Sequence, residues 1–158
     1  MQKSAEISLM ADIFNNLRRI FQALNEQSKQ AEKKTGLTGP QLWAILTLEK
    51  EGALRVTALA EKLFVHPATA VGILNRLEDK GIVQRKRTQR DRRAVDVELT
   101  DEGHLVARQA PTVPQGRLAS GLATLTPEEI REIGRSLDRI VELLDAQDTK
   151  PVPIAYQG

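Results

Sequence analysis

The chain has 158 residues, no cysteine and a formal net charge of +2, which fits one ordinary domain and excludes disulfides, thiolate metal ligands and a redox-sensing thiol. Residues 55–93 hold ten Lys and Arg against four Asp and Glu, whereas residues 94–158 hold six against eleven, so the basic middle indicates a nucleic-acid surface. No apolar run suits a signal peptide or the roughly 20 residues of a membrane span, so we expect a cytoplasmic protein.

A long amphipathic helix is predicted at the N-terminus, reaching to about Lys34 and ending before Gly36. Its apolar residues recur at steps of three and four, which places them on one face. The part of that face that we assign to a dimer interface consists of Ile13, Leu17, Ile20 and Leu24.

Two shorter helices and a short strand follow, delimited by turn and capping residues. Thr38 before Pro40 favours a helix over 39–51, and residues 54–56 suit one strand of a small sheet. Thr57 is predicted to be the N-cap of the next helix. The residues predicted to face the core from the two helices are Leu42, Trp43, Ile45, Leu46, Leu48, Leu59, Ala60 and Leu63.

A further helix and a hairpin occupy the basic middle of the chain. Pro67 favours the first turn of this helix, and Gly81 ends it. Residues 82–88 and 95–99 suit two strands separated by a charged stretch, which predicts a hairpin. The residues predicted to be buried on the helix are Val71, Leu74 and Leu77.

The C-terminal third is predicted to be helical. Thr100 offers an N-cap followed by acids that suit the helix dipole. Pro111 and Pro114 should interrupt the helix that starts there. Thr126 begins a last amphipathic helix. Its apolar stripe, also assigned to the dimer interface, consists of Ile133, Leu137, Ile140 and Leu144.

The order helix, helix, short strand, helix, turn, helix and hairpin describes a winged helix-turn-helix over residues 37–100. The sequence therefore predicts a mainly α, α+β fold. In this prediction residues 1–36 form an N-terminal dimerisation helix, residues 101–147 form C-terminal dimerisation helices, and residues 148–158 form a flexible tail.

The stretch VTALAEKLFVHPATAVGILNRLEDKGIVQRKRTQRDRRAVDVELTDEG resembles the MarR family of bacterial regulators. The likeness lies in the helix-turn-helix pattern, the NRLEDKGIVQR junction, the DRR wing tip and the LT-x-EG exit from the wing. It implies a transcription regulator that binds double-stranded DNA as a homodimer at a near-palindromic operator. We expect repression, because a dimer that covers a promoter blocks polymerase; the sequence leaves activation open.

The helix that begins at Pro67 has the character of a recognition helix. A helix of about 10 to 12 Å diameter fits the major groove if its outer face is small or polar. Thr69 suits a base or a thymine methyl group, Asn75 suits adenine or a phosphate, and Arg76 suits guanine or the backbone. Ordinary exposed helix positions are the alternative. The predicted DNA contacts are His66, Pro67, Ala68, Thr69, Gly72, Asn75 and Arg76.

The charged hairpin indicates DNA binding more specifically than the helix does. Residues 85–93 hold six positive charges around one acid, and charges that repel one another on an idle loop would strengthen binding beside phosphates. By resemblance, Arg93 enters the minor groove, Asp91 orients an arginine without touching DNA, and Arg92 is a second contact. The alternative is a solvated edge protected by charge. The predicted wing residues are Arg85, Lys86, Arg87, Arg90, Asp91, Arg92 and Arg93.

Other functions find little support. His66 and His104 are the only histidines and lie far apart, and we find no phosphate loop or paired carboxylates, so no enzyme, cofactor or metal site is predicted. The alternative function is a winged-helix module that binds protein without sequence-specific DNA binding. The two apolar stripes could also pack only within one chain. The resemblance implies a small aromatic or phenolic effector in a cleft between the first helix, Leu42 and Trp43, and the helix after the wing.

Overall fold

The structure is a computed structural model and describes residues 2–87 and 94–154. In these ranges the helices are α1 (Gln2–Thr35), α2 (Gly39–Glu51), α3 (Val56–Lys62), α4 (Pro67–Asp79), α5 (Asp101–Gln109), α6 (Pro114–Leu122) and α7 (Pro127–Leu143). The strands are β1 (Leu54–Arg55), β2 (Val83–Arg87) and β3 (Val95–Leu99). The predicted mainly helical fold with a small sheet is confirmed. No helix in the described ranges is both long and apolar enough to cross a membrane.

The core lies where α2, α3 and α4 pack against the sheet. The inward positions predicted for α2 and α3 are buried, or partly buried in the case of Trp43 and Leu46. Aliphatic side chains of this kind stabilise the fold mainly by removing apolar area from water. The largest fully buried apolar side chains are Leu42, Ile45, Leu48, Leu59, Leu74, Leu77, Val97 and Val113.

The sheet has three antiparallel strands in the order β1-β3-β2. Val97 in the central strand pairs with Leu54 on one side and Arg85 on the other. We call β2, β3 and the residues that connect them the wing. Because α3 follows β1 directly, the sheet holds the wing close to the helix pair α3 and α4.

The base of the wing is fixed to the end of α4 by Thr100 and Gly103. Thr100 Oγ1 accepts from the backbone N–H of Gly103 over 3.1 Å and donates to the carbonyl of Gly81 over 2.6 Å. A Cβ atom on Gly103 would lie 2.2 Å from the carbonyl oxygen of Ile82, so only glycine permits this approach. The wing therefore leaves the core at a fixed angle.

The predicted helix starts at Thr38 and Thr126 are confirmed as capping boxes. At the second, Glu129 Oε2 accepts from the backbone N–H of Thr126 over 2.7 Å, and this bond, followed by the Thr126 hydroxyl, lowers the pKa of Glu129. The predicted interruption is also confirmed, because α5 ends at Gln109 and α6 begins at Pro114.

Two local predictions are wrong. Thr57 is not an N-cap, because β1 runs straight into α3 and Arg55 takes the cap position without a side-chain bond. Val71 is 39% exposed and does not face the core. The buried face of α4 runs instead through 70, 73, 74 and 77, and one residue turns a helix by about 100°, which carries Val71 off that face.

Candidate nucleic-acid interface

The outer face of α4 brings the predicted recognition residues together. Positions 68, 69, 72, 75 and 76 follow the spacing of one helix face, and His66 and Pro67 lie at its N-terminal end. Thr69 is partly buried and the other predicted residues are exposed. The opposite face packs into the core, so the exposed face is presented on a rigid support. Contact of these residues with DNA stays a prediction.

His66 begins the recognition helix. It is the N-cap of α4, and its Nδ1 accepts from the backbone N–H of Ala68 over 3.2 Å. This bond satisfies one of the free donors of the first turn. Because Nδ1 accepts, the neutral ring carries its proton on Nε2.

Arg85 connects the wing to the recognition helix. Its Nη1 forms an ion pair with Glu78 Oε2, and its Nη2 donates to Asn75 Oδ1 over 2.8 Å. The side chain of Arg85 is 28% exposed. This contact is not evident from the sequence, because Glu78 lies in α4, outside the charged stretch 85–93.

Lys86 is likewise paired, with Glu98 of the neighbouring strand. The Lys86 ammonium, together with a bond from Gln84 Nε2 over 2.7 Å, lowers the pKa of Glu98 against a smaller opposing effect of burial. Glu98 is therefore ionised at neutral pH. The base of the wing is less positive than its sequence alone suggests.

Two exposed arginines near this surface are not paired with an acid in the part of the chain that the structure describes. Arg76 on α4 and Arg87 at the end of β2 are exposed and form no ion pair with the described residues. Such cations can release counterions from DNA without first breaking a protein contact. The predictions for Arg90, Asp91, Arg92 and Arg93 lie outside the described residues.

His104 lies in α5 at the base of the wing, where it lines a surface cleft together with Lys86 and Glu98. Its Nδ1 is 2.5 Å from Glu49 Oε2, a contact that joins α5 to α2 at the surface. The described residues contain no group of three or more histidine or acidic side chains that could hold a metal ion.

A cavity of about 750 Å³ lies between α2, the start of α4, α6 and residues 150–154. Trp43 and Phe64 line it, with their ring centroids 6.2 Å apart. Of the parts of the chain that the sequence assigned to an effector cleft, Trp43 lines this cavity. Leu42 is buried in the core, and no described residue of α1 or α5 lines the cavity; α6, which begins at Pro114, lies there instead. Binding of an effector stays a prediction.

Gln115 is the polar residue of this cavity that sequence analysis missed. It is 8% exposed, and its Nε2 donates to the carbonyl of Ile154 over 2.7 Å. Its Oε1 is buried and has no hydrogen-bond partner among the described residues. The signal in the sequence was a lone glutamine directly after Pro114, which did not distinguish it from a surface residue.

The MarR family model matches residues 37–95. The chain is 30% identical over 146 residues to the HTH-type transcriptional repressor MdtR of Bacillus subtilis (strain 168), covering 92% of this chain and 94% of that protein. A MepR-like protein complexed with pseudoligands shares 29% identity and a TM-score of 0.53, with 87% of this chain and 94% of that chain covered.

A solved structure with bound DNA has the same fold. Reduced AbfR bound to DNA is 22% identical, has a TM-score of 0.55, and covers 90% of this chain and 99% of that chain. The match to MdtR extends over nearly the whole of this chain, and the exposed face of α4 lies beside the wing. The chain belongs to the MarR family and is a winged-helix, DNA-binding transcription regulator rather than an enzyme.

Proposed function

We propose that two copies of this chain form a symmetric dimer that binds a near-palindromic operator and represses transcription. The observation that carries the proposal is the exposed polar face of α4, held beside the wing by a fully buried opposite face. Two such helices related by a twofold axis contact half-sites about one helical turn apart. The relation to MdtR, a repressor, supports the direction of regulation.

The dimer is proposed to form through α1 and α7. Five of the eight residues of the two apolar stripes are exposed in one chain, among them Ile13 at 51% and Leu137 at 50%. The other three, Leu17, Leu24 and Ile140, are partly buried. In α7 no residue is buried. Surfaces of this kind mark an interaction site. A second copy suits them, because an isologous interface places the same two stripes on both partners.

Within this dimer, residues 1–36 and 101–147 serve association, and residues 37–100 bind DNA. The seven predicted residues of the recognition helix lie in the major groove, and the wing follows the backbone into the adjacent minor groove, with Arg93 inserted and Asp91 orienting it. Lys86 and Arg87 supply phosphate contacts, and Lys86 does so only at the cost of its pairing with Glu98.

The cavity beside Trp43 is proposed to hold a small apolar effector. Its lining includes Trp43 and Phe64, which suits a small aromatic or phenolic molecule. Because the cavity borders the first turn of α4, a ligand that prefers one spacing of α4 and α6 changes DNA affinity by that preference.

Selection of bound duplexes from a random pool tests the central proposal. We expect enrichment of a near-palindromic sequence whose half-sites are about one helical turn apart. Failure to retain any duplex at low salt would instead favour a protein-binding module. Arg76→Ala should weaken retention of the enriched duplexes, since it removes one exposed cation from α4.

A further inference from the structure

Arg85 fixes the side-chain amide of Asn75. It holds Glu78 through one nitrogen and Asn75 Oδ1 through another. Asn75 and Glu78 are three residues apart on α4, so their side chains are neighbours on the helix surface. A guanidinium is planar and presents its donors in a rigid fork, and one arginine can therefore hold both groups in one arrangement.

In this contact the oxygen of the Asn75 amide has a hydrogen-bond partner and the nitrogen has none among the described residues. Oδ1 accepts from a cation over 2.8 Å, whereas Nδ2 donates to no described residue. An asparagine that pairs with adenine uses both ends in the plane of the base, with Oδ1 accepting from N6 and Nδ2 donating to N7. Arg85 takes one of the two acceptor sites of Oδ1 and sets the plane of the amide, so the group of Asn75 that keeps its full hydrogen-bonding capacity is the donor Nδ2.

Arg85 is also poorly suited to be a phosphate contact of its own. Its side chain is 28% exposed and that of Glu78 is 39% exposed, so the ion pair is partly removed from water. Contact of Arg85 with a phosphate would leave the Glu78 carboxylate without its cation near the DNA backbone. DNA binding is therefore better served by an Arg85 that stays paired with Glu78.

We propose that Arg85 is a positioning residue that makes Asn75 a hydrogen-bond donor to DNA. Asn75 then binds an acceptor and does not select adenine through a paired amide. A phosphate oxygen and an acceptor edge of a base, such as guanine O6 or thymine O4, share this chemistry. The inference rests on the proposed function, and it replaces the predicted phosphate contact of Arg85.

A double-mutant cycle on the duplex enriched by the wild-type chain tests the coupling. Asn75→Ala and Arg85→Ala should each lower affinity roughly tenfold, as expected for one lost hydrogen bond. The double variant should bind about as weakly as the weaker single variant, because both changes remove the same contact. Additive losses would overturn the proposal.

Two further variants separate positioning from charge. Arg85→Lys keeps the positive charge but lacks the planar fork, so we expect it to bind as weakly as Arg85→Ala; wild-type affinity in this variant would show that charge alone matters. Arg87→Ala removes an exposed cation from the same strand. Its loss should add to that of Asn75→Ala, and thermal melting of every variant confirms a folded chain.

Repeating the selection with each variant identifies the acceptor. If Asn75 binds a base, Asn75→Ala relaxes one position in each half-site; if it binds a phosphate, affinity falls equally for all duplexes. In the first case, Arg85→Ala should raise the frequency of adenine at that position, which a merely structural role would not do. A wild-type adenine preference that vanishes in Asn75→Ala and persists in Arg85→Ala would refute the inference.

The proposed function and this inference fail in different ways. If the wild-type chain enriches no duplex, the proposed function is refuted. If it enriches a duplex and Asn75 and Arg85 act independently on it, only the inference is refuted.

Discussion

Two regions of this chain use regularly spaced apolar residues in opposite ways. Between α2 and β3, side chains such as Leu42, Leu59 and Leu77 are fully buried by contacts within one chain. In α7 and at its C-cap the spacing is equally regular, yet Leu137 is 50% and the C-cap Leu144 is 70% exposed. In the first region, helices and strands of the same chain cover one another's apolar faces. In the second, no described element of the same chain buries the apolar face of α7. Periodicity therefore identifies an apolar face but does not show which surface packs against it.

The largest expected effect comes from a charge on the exposed face. Leu137→Asp should abolish dimer formation, because an unpaired charge in an apolar seam costs several kcal/mol, on the order of 3–5 when its environment is dry. Sedimentation at rising protein concentration measures the association. The matched control is Arg135→Gln, which changes the net charge by the same amount on the opposite face of α7. A Leu137→Asp dimer as stable as the wild type would remove α7 from the interface.

A core substitution should weaken the other region without touching association. Leu74 is fully buried, and Leu74→Ala should lower the free energy of unfolding by about 2–5 kcal/mol through lost burial and a cavity. Denaturant melting measures this loss. Val71→Ala, on the exposed side of the same helix, should change it by only about 0.5 kcal/mol. Equal losses in the two variants would contradict the buried face assigned to α4.

A wing substitution should separate DNA binding from both effects. Arg93→Ala should lower operator affinity and reduce the salt slope by about one unit, because it removes one cationic contact. The slope of log affinity against log salt concentration measures this, and thermal melting should stay unchanged. Arg135→Gln again serves as the control for loss of one positive charge. An unaltered slope in Arg93→Ala would count against its minor-groove role.

The sequence predicted the parts of the fold that short-range chemistry decides. Thr126 before Pro127 determines a helix start from four neighbouring residues, and alternation over 95–99 determines a strand. Val71 was misplaced because it lies three residues before Leu74, a spacing that also suits one helix face. The buried face is centred on 70, 73, 74 and 77 and leaves position 71 at its edge, and only packing decides where such a face ends.

The candidate site was predictable in position but not in its contacts. Exposed polar residues on α4 and charges in 85–93 located the surface. The pairing of Arg85 with Glu78 depends on how the sheet approaches the helix, and that of Lys86 with Glu98 depends on the hairpin register. Gln115 donates to the carbonyl of Ile154 and lies against Gly39, both far away in the sequence. Contacts of this long range have no local signal.

The smallest expected effect concerns the ion pair of Lys86 with Glu98, which joins β2 to β3 in the region whose core is formed within one chain. The pKa of Glu98 is lowered in the folded chain, so its contribution to stability is present above the ordinary value of 4.5 and is lost as the pH falls through the folded value. Glu98→Gln should therefore lower the free energy of unfolding at pH 7 by under about 1 kcal/mol, as for other surface pairs.

The pH dependence distinguishes this pair from a change in packing. Denaturant melting of the wild type and Glu98→Gln should show a difference at pH 7 that shrinks in acid, where Glu98 is protonated in both the folded and the unfolded wild type. Added salt should shrink it too, because the pair is at the surface. A difference that stays constant across pH would assign the loss to packing of Glu98 in the hairpin. Side-chain packing, and not the ion pair, would then be what Glu98 contributes to the pairing of β2 with β3.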